Sequence, residues 1–302
     1  ADGPISLQAN DGSLALGQAV TAGGAGTVSL TSAGAITQGA NGKVSTAGLL
    51  QTTSALGQAL TGANAVGSFN AVNSTRGDIV LNNTTAPPAI ALTLSGIDNR
   101  AANGGVAVTN AGALTTRGAV RSAGAGLIVL TTTQDLVLGG DVDAGLGGVV
   151  LSAQAGTITQ GANATITASG LGVQATVAPL LTRSNLRTIA ADITGAGNPF
   201  AYTQAGTFDI GTVGLVSGVR TRDAAVTLTA SAGDLTMSQP VDAGTGALNL
   251  SAPLGSIRQT AGGAVKGARL TTVSGSGQTL TGANTVGSFN AVNSTRGDIV
   301  LN

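Results

Sequence analysis

The sequence predicts an all-β fold, a parallel β-helix (β-solenoid) of about 13 coils, from three features of the chain. Short triplets with apolar first and third residues recur along it, and clusters rich in Gly separate them. In addition, residues 57–82 return almost unchanged as residues 277–302. Self-similarity at such a distance indicates an array of similar units, in which each unit packs against its neighbours.

The triplets indicate short strands that bury one side. Ile5-Ser6-Leu7, Val28-Ser29-Leu30, Ile128-Val129-Leu130 and Val226-Thr227-Leu228 are typical. Because side chains alternate between the two sides of a strand, the outer residues of each triplet face the same way. The Ala-Gly, Asp-Gly and Asn-Gly pairs between triplets supply bent corners. So much Gly, Thr and Val opposes helix formation, which favours an all-β reading.

Composition limits the kind of core that this chain can build. Only 9% of residues are charged and 2% aromatic, 48 are Gly, and His, Cys, Trp and Glu do not occur. A conventional core relies on large aromatic side chains. Yet an apolar content of 42% is too high for a disordered chain. We therefore expect a thin core of Ala, Val, Leu and Ile that repeats from coil to coil.

Charge and cysteine content exclude several classes of partner and site. The 13 basic and 13 acidic residues balance and are scattered along the sequence, whereas a nucleic-acid-binding protein clusters its cations. No apolar run is long enough for a transmembrane helix, and no signal peptide is visible. The absence of Cys excludes disulfides and thiolate metal sites. We expect no cofactor and no nucleic-acid partner.

Three copies of a longer pattern emerge when the triplets are aligned. Ile5 corresponds to Ile128 and to Val226, so the first spacing is longer than the second by about one coil. This difference predicts one additional coil within residues 84–113. The copies span about residues 1–125, about 126–223, and about 224–302, where the third is incomplete.

We interpret residues 1–302 as one continuous β-solenoid segment, because a stack of coils tolerates the insertion of a whole unit. The repeat also leads us to expect that the chain continues beyond Asn302. The competing fold is a β-sandwich or a string of small β-domains. It would require hairpin turns and strands rich in aromatic residues.

Several repeats resemble the shafts of filamentous-haemagglutinin-like exoproteins, the large bacterial adhesins exported by two-partner secretion. The resemblance lies in Gly-Asp-Ile-Val-Leu-Asn-Asn at 77–83, Ala-Gly-Ala-Ile-Thr-Gln at 33–38, Ala-Gly-Thr-Ile-Thr-Gln at 155–160 and Gly-Ala-Leu-Thr-Thr-Arg-Gly at 112–118. It implies a right-handed parallel β-helix, passage through an outer-membrane transporter, and a secreted or cell-surface location. It also implies roles in adhesion, biofilm formation or contact-dependent inhibition.

Three functions remain open at this stage. The first is a structural shaft that projects regions binding a host receptor or surface glycan. The second is a self-assembling extracellular filament or matrix protein, whose partner is a further copy, joined end-on or laterally, or the neighbouring repeats of a longer chain. The third is a carbohydrate-active β-helix. Without His or Glu, its general base would have to be Asp, Lys, Arg or Tyr, so we expect no enzyme.

Two sets of recurring side chains are candidates for structural roles. Gln38, Gln160 and Gln259 each end an Ile-Xaa-Gln triplet, one per copy. Stacked amides can form a ladder along the axis, but the copies stand several coils apart, so these three cannot touch one another. We expect each to form a hydrogen bond to backbone at a corner, with contact to a ligand as the alternative. Phe69, Phe200 and Phe289 are interpreted as internal fillers at a wider part of a coil, with exposed stacking on a ligand as the alternative.

Acidic residues raise two further possibilities. Asp78 and Asp298 end an Arg-Gly-Asp tripeptide, which integrins recognise in matrix proteins. Each leads directly into a strand, so a turn-forming role through hydrogen bonds to backbone is the simpler interpretation. Asp141 and Asp143 suggest a calcium site, but Ca²⁺ takes six to eight oxygen ligands, and the pair does not recur in the other copies. We therefore predict corner roles and no metal.

Overall fold

The computed structural model describes residues 3–84, 90–179 and 186–302. The predicted fold class is confirmed, because the described residues contain no helix and their parallel strands stack in a β-solenoid of about 13 turns. The additional coil expected within 84–113 includes residues 85–89, which lie outside the described residues. The boundaries of the three copies stay predictions.

The chain divides into two compact units. Unit 1 comprises Ala1–Gly148, Ser152–Gly156 and Gln160–Thr167, and unit 2 comprises Val149–Leu151, Thr157–Thr159 and Ala168–Asn302. The strands up to β18 are β1 Ile5–Ala9, β2 Leu14–Leu16, β3 Ala19–Thr21, β4 Val28–Ser32, β5 Ile36–Gln38, β6 Lys43–Ser54, β7 Gln58–Leu60, β8 Ala65–Asn73, β9 Ile79–Asn83, β10 Leu92–Asn99, β11 Val106–Asn110, β12 Leu114–Thr116, β13 Val120–Ser122, β14 Ile128–Thr132, β15 Leu136–Leu138, β16 Val142–Asp143, β17 Gly148–Gln160 and β18 Ile166–Thr167.

The remaining strands belong to unit 2. They are β19 Gly170–Val177, β20 Thr188–Ala196, β21 Phe200–Gln204, β22 Phe208–Ile210, β23 Thr212–Val213, β24 Val216–Ser217, β25 Val219–Arg222, β26 Val226–Ala230, β27 Leu235–Met237, β28 Val241–Asp242, β29 Ala247–Ala252, β30 Ile257–Gln259, β31 Val265–Ser274, β32 Gln278–Leu280, β33 Thr285–Asn293 and β34 Ile299–Leu301.

Each turn of unit 1 places its triplets directly above those of the turn before. Ile5 of β1 pairs in parallel with Val28 of β4 on the next turn, and Val106 of β11 pairs in the same way with Ile128 of β14. The inward residues Val28, Val106 and Ile128 are almost completely buried. The predicted alternation thus holds, and each coil buries an aliphatic column shared with its neighbours.

Unit 2 repeats this arrangement and adds one exception. Val226 of β26 pairs in parallel with Leu248 of β29 on the following turn. The exception is the short antiparallel hairpin of β23 and β24, whose tip residue Leu215 is fully exposed. The hairpin lies over β19, where a Cβ on Gly170 would come within 2.8 Å of the Val213 side chain. Glycine in β19 therefore makes room for the hairpin.

Glycine at the corners serves mainly to let successive turns approach closely. A Cβ added to Gly126 would stand 2.1 Å from the carbonyl oxygen of Gly104, and one on Gly147 would stand 2.1 Å from that of Gly126. Real Cβ atoms do not approach oxygen so closely, so a side chain here would push the turns apart. Bending at the corners was expected from the sequence, and the structure adds that these glycines are required by the stacking distance.

Candidate functional surface

The side chains of Gln38 and Gln259 form the same amide pair in the two units. Gln38 Nε2 donates to Asn64 Oδ1 at 2.7 Å, and its Oε1 accepts from the backbone N–H of Gly62 at 2.8 Å. Gln259 Nε2 donates to Asn284 Oδ1 at 2.7 Å, and its Oε1 accepts from Gly282 at 2.8 Å. Each glutamine thus ties one corner to the next turn through both amide and backbone contacts.

Gln160 behaves differently from the other two glutamines. Its Nε2 donates to the backbone carbonyl of Ala164 at 2.7 Å, a short distance further along the chain. That contact closes a local corner. The structure therefore places all three glutamines at corners, but it gives only Gln38 and Gln259 an amide partner on the adjacent turn.

Buried asparagines form a second set of amide contacts that the sequence analysis missed. Asn73 Nδ2 donates to Asn99 Oδ1 at 2.9 Å, and Asn83 Nδ2 donates to Asn110 Oδ1 at 2.8 Å. These four side chains are at most 3% exposed. Buried amides cost free energy unless they are hydrogen-bonded, and here each is bonded to the turn above or below. In the sequence, these residues could have been recognised as an Asn at the last, inward-facing position of a strand.

The three phenylalanines are not equivalent. Phe69 of β8 pairs with Leu50 in the preceding turn and Phe289 of β33 pairs with Leu270, so these two occupy matching positions. Phe200 instead begins β21 and pairs with Val226, the first triplet residue of the third copy. Phe200 therefore does not hold the position of Phe69 in its own turn.

Phe69 and Phe200 are buried, and Phe289 is half-buried. Phe200 belongs to an aromatic group inside unit 2 together with Tyr202 and Phe208. The rings of Tyr202 and Phe208 meet edge-to-face with centroids 5.2 Å apart, a favoured geometry. Tyr202 donates to Gln204 at 2.6 Å, and its burial raises the pKa of the phenol well above the usual value. These rings face the core.

Aspartate carboxylates at the corners bind the turn that follows. Asp141 Oδ1 accepts from both the backbone N–H and the hydroxyl of Thr165, and Asp223 Oδ1 accepts in the same way from Thr245. The hydroxyl and backbone bonds from Thr165 lower the pKa of Asp141, and the backbone and hydroxyl bonds from Thr245 lower the pKa of Asp223. This clamp reaches from one turn to the next.

Asp78 and Asp298, the tripeptide aspartates, differ in their contacts. Asp78 Oδ1 accepts from the backbone N–H of Gly105 at 2.8 Å, which is the same clamp to the next turn. Among the described residues, Asp298 makes no side-chain hydrogen bond, and it is exposed. Asp78 and Val80 also line two surface depressions of about 270 and 280 Å³.

The suggested calcium pair is used in two separate corner contacts. Asp141 binds Thr165 as described, whereas Asp143 Oδ1 accepts from the backbone N–H of Gly145 at 2.9 Å. Within residues 3–84, 90–179 and 186–302, no group of three or more acidic side chains is arranged to hold a metal ion. In the same residues there is no helix that could cross a membrane.

Seven of the charged residues, which look scattered in the sequence, align in two rows across successive turns. In unit 1, Asp98 pairs with Arg121, and Arg121 pairs with Asp143. In unit 2 the row consists of Asp192, Arg220, Asp242 and Lys266, each paired in register with the next. Neighbouring charges in both rows have opposite sign. Cross-strand neighbours of opposite charge attract, and like charges repel.

Comparison with protein-family models, with curated proteins and with solved structures gives no match for this chain. The fold and the contacts between its turns therefore carry the functional argument. They define the protein as a parallel β-solenoid whose polar side chains connect adjacent turns.

Proposed function

We propose that this chain is a structural shaft of a large secreted bacterial exoprotein of the adhesin type. In this role the solenoid holds binding regions for a host receptor or surface glycan away from the cell, and supports attachment and biofilm formation. Export would use an outer-membrane transporter, and the working location would be the cell surface or the surrounding medium. The shaft itself performs no chemical reaction.

One observation carries the proposal, namely that the same kind of contact between successive turns recurs at separate places along the chain. Gln38 and Gln259 make equivalent amide bonds, and Asp141 and Asp223 make equivalent clamps. A structure held by nearest-neighbour contacts can be lengthened by repetition without a new core. Length and stiffness are the properties that a shaft requires. The resemblance of the repeats to haemagglutinin-like shafts supports the same role.

A deletion of one whole turn tests the proposal. Three strands of one turn pair in register with three strands of the next, through Val106 with Ile128, Leu114 with Leu136 and Val120 with Val142. The interval along the chain is the same in all three pairs, so removing residues 106–127 brings Ile128 into the place of Val106. In the producing bacterium we expect this deletion to preserve folding, surface exposure and attachment, because a shaft one turn shorter remains a shaft.

The matched control removes residues 106–116, about half a turn. It leaves the following strands out of register with the turn below, so we expect loss of folding and of surface display. Circular dichroism, surface labelling and an attachment assay distinguish the outcomes. A whole-turn deletion that is folded and displayed but no longer attaches would contradict a passive shaft, since it would place the binding site in the removed turn.

The second candidate is an extracellular filament or matrix protein built from associated solenoids. It requires lateral contact between solenoids, and the charged row of unit 2 is a surface through which two copies could pair. A two-fold pairing through one row gives a closed dimer, so a filament would need a further contact.

A further inference from the structure

The charged row of unit 2 has a property that the row of unit 1 lacks. Read along the solenoid, Asp192, Arg220, Asp242 and Lys266 give the order minus, plus, minus, plus. Reversing this order exchanges every sign. The row of Asp98, Arg121 and Asp143 in unit 1 reads minus, plus, minus, and reversal leaves it unchanged.

This difference decides which row is complementary to itself. Consider two antiparallel copies whose rows face each other, related by a two-fold axis that passes between Arg220 and Asp242. Asp192 then lies opposite the partner's Lys266, and Arg220 lies opposite the partner's Asp242. All four residues of each row meet an opposite charge. Two-fold contacts of this isologous kind are the commonest in protein dimers.

The same operation on the unit 1 row brings like charges together. Asp98 would face the partner's Asp143, and Arg121 would face the partner's Arg121. Facing charges of one sign repel, so this row opposes the same antiparallel pairing. The two rows therefore differ in the association they permit, although both alternate within one chain.

The ion pairs within the chain are long, so the charged side chains of the unit 2 row can also bind charges of a second copy. Lys266 Nζ lies 3.5 Å from Asp242 Oδ2, and Arg222 Nη2 lies 3.9 Å from Asp192 Oδ1. Strong charge-assisted bonds are shorter, about 2.7–2.9 Å. The side chains of Asp192, Asp242 and Lys266 are 31%, 29% and 59% exposed, and Arg220 is exposed.

The surroundings of the row allow a second solenoid to approach. Gly218, Pro240 and Ala264 each stand two residues before a charged member of the row and carry short side chains or none.

We infer that the face of unit 2 bearing Asp192, Arg220, Asp242 and Lys266 is a docking surface for a second copy of this chain, in an antiparallel two-fold dimer. The contact spans only four turns and is far smaller than the interface of a stable dimer. Association is therefore weak and reversible, and it depends on salt because the charges are exposed. This inference is independent of the shaft proposal, since a shaft can act alone or in pairs.

A zero-length carbodiimide cross-link provides a direct test. Within one chain, Lys266 lies three turns from Asp192, about 14 Å at the strand spacing, which is too far for an amide to form. A Lys266–Asp192 link can therefore arise only between two copies. In a mixture of ¹⁴N- and ¹⁵N-labelled chains, we expect cross-linked peptides that carry both labels.

Two controls belong to the same reaction. The pair Lys266–Asp242, at 3.5 Å within the chain, shows that the reagent reaches Lys266. Lys43, the other lysine of the chain, should form no mixed-label link with any residue of the row. Formation of the Lys266–Asp242 link without a mixed-label Lys266–Asp192 link would overturn the proposal.

Charge variants give a second, independent measurement by analytical ultracentrifugation. The chain with Arg220→Asp and Lys266→Asp has an acidic row, and the chain with Asp192→Lys and Asp242→Lys has a basic row. Each alone should be monomeric at concentrations where the parent chain dimerises, and a mixture of the two should associate. Arg121→Gln, in the unit 1 row, is the matched control and should dimerise like the parent.

Like charges on adjacent turns could impair folding, which circular dichroism would reveal. The neutral chain with Asp192→Asn, Arg220→Gln, Asp242→Asn and Lys266→Gln then replaces the charged variants, and it should remain monomeric. For the parent, raising salt from low to high concentration should weaken dimerisation on the order of tenfold or more. Dimerisation that survives both the neutral row and high salt would contradict this surface.

Discussion

Asp141 Oδ1 accepts two hydrogen bonds from Thr165, one from the backbone N–H at 2.9 Å and one from the hydroxyl at 2.8 Å. The two residues lie on successive turns, and the bonds lower the pKa of the carboxyl group. Asp234 forms the same pair of bonds with Ser256. The clamp couples the ionisation of a surface carboxylate to the stacking of two turns, so it makes the stability of the solenoid depend on pH.

The first prediction concerns how the stability of the solenoid changes at low pH. The folded pKa of Asp141 lies below that of an unfolded Asp, about 3.9. The clamp therefore contributes fully above that pH and is lost as pH falls through the folded pKa. We expect Asp141→Asn to reduce the free energy of unfolding at pH 7 by about 1 kcal/mol and to have a smaller effect at pH 3. Urea unfolding at both pH values measures this.

Asp11→Asn is the matched control for the acid experiment. Asp11 is also an exposed corner acid, but among the described residues its side chain makes no hydrogen bond. Its substitution should change stability by less than about 0.5 kcal/mol. Equal effects of the two substitutions would show that general surface charge, not the bond to Thr165, governs the response to pH.

The second prediction concerns the closely stacked corners. A Cβ on Gly126 would stand 2.1 Å from the Gly104 carbonyl oxygen, so Gly126→Ala forces two turns apart. We expect a loss of about 2–3 kcal/mol, as for an overpacked core. Gly17→Ala is the control, because a Cβ there meets nothing within 4 Å. Comparable losses in urea unfolding would refute the stacking explanation.

The sequence predicted those features of the fold that depend on local pattern. Alternating triplets such as Val28-Ser29-Leu30 identify the strands and their buried side because alternation is a property of one strand. The corner position of Asp78 followed from its place before Ile79. The chemical preference of Asp for corners is likewise local.

Features that depend on register between turns could not be read from the sequence. Val106 stands above Ile79, and Ile128 stands above Val106, but the first interval along the chain is several residues longer than the second. A fixed period therefore misplaces the partner of a given position. For this reason the charged rows, the contact of Asn73 with Asn99, and the distinct place of Phe200 emerged only from the pairing of strands.

The third prediction uses the duplicated tripeptide. Asp78 clamps Gly105 on the next turn. Asp78→Ala should therefore lower the free energy of unfolding by about 1 kcal/mol. Asp298→Ala removes the carboxylate of the second tripeptide. Neither change should alter adhesion of integrin-bearing cells to the folded protein. Reduced adhesion to Asp298→Ala would instead indicate receptor recognition.

The fourth prediction concerns Phe69, which is fully buried between Leu50 and Leu94 on the adjoining turns. Phe69→Ala creates a cavity and should destabilise its coil by about 3–5 kcal/mol. Phe69→Leu is the control, because it keeps an apolar side chain at the same place and should cost less.

Hydrogen exchange of the strand amides measures the effect of Phe69→Ala locally. The substitution should accelerate exchange in β8 and in the strands of the two adjacent turns, β6 and β10, because Phe69 packs between them. Acceleration confined to β8 would mean that contacts within the strand, and not the stack, determine the stability of each coil.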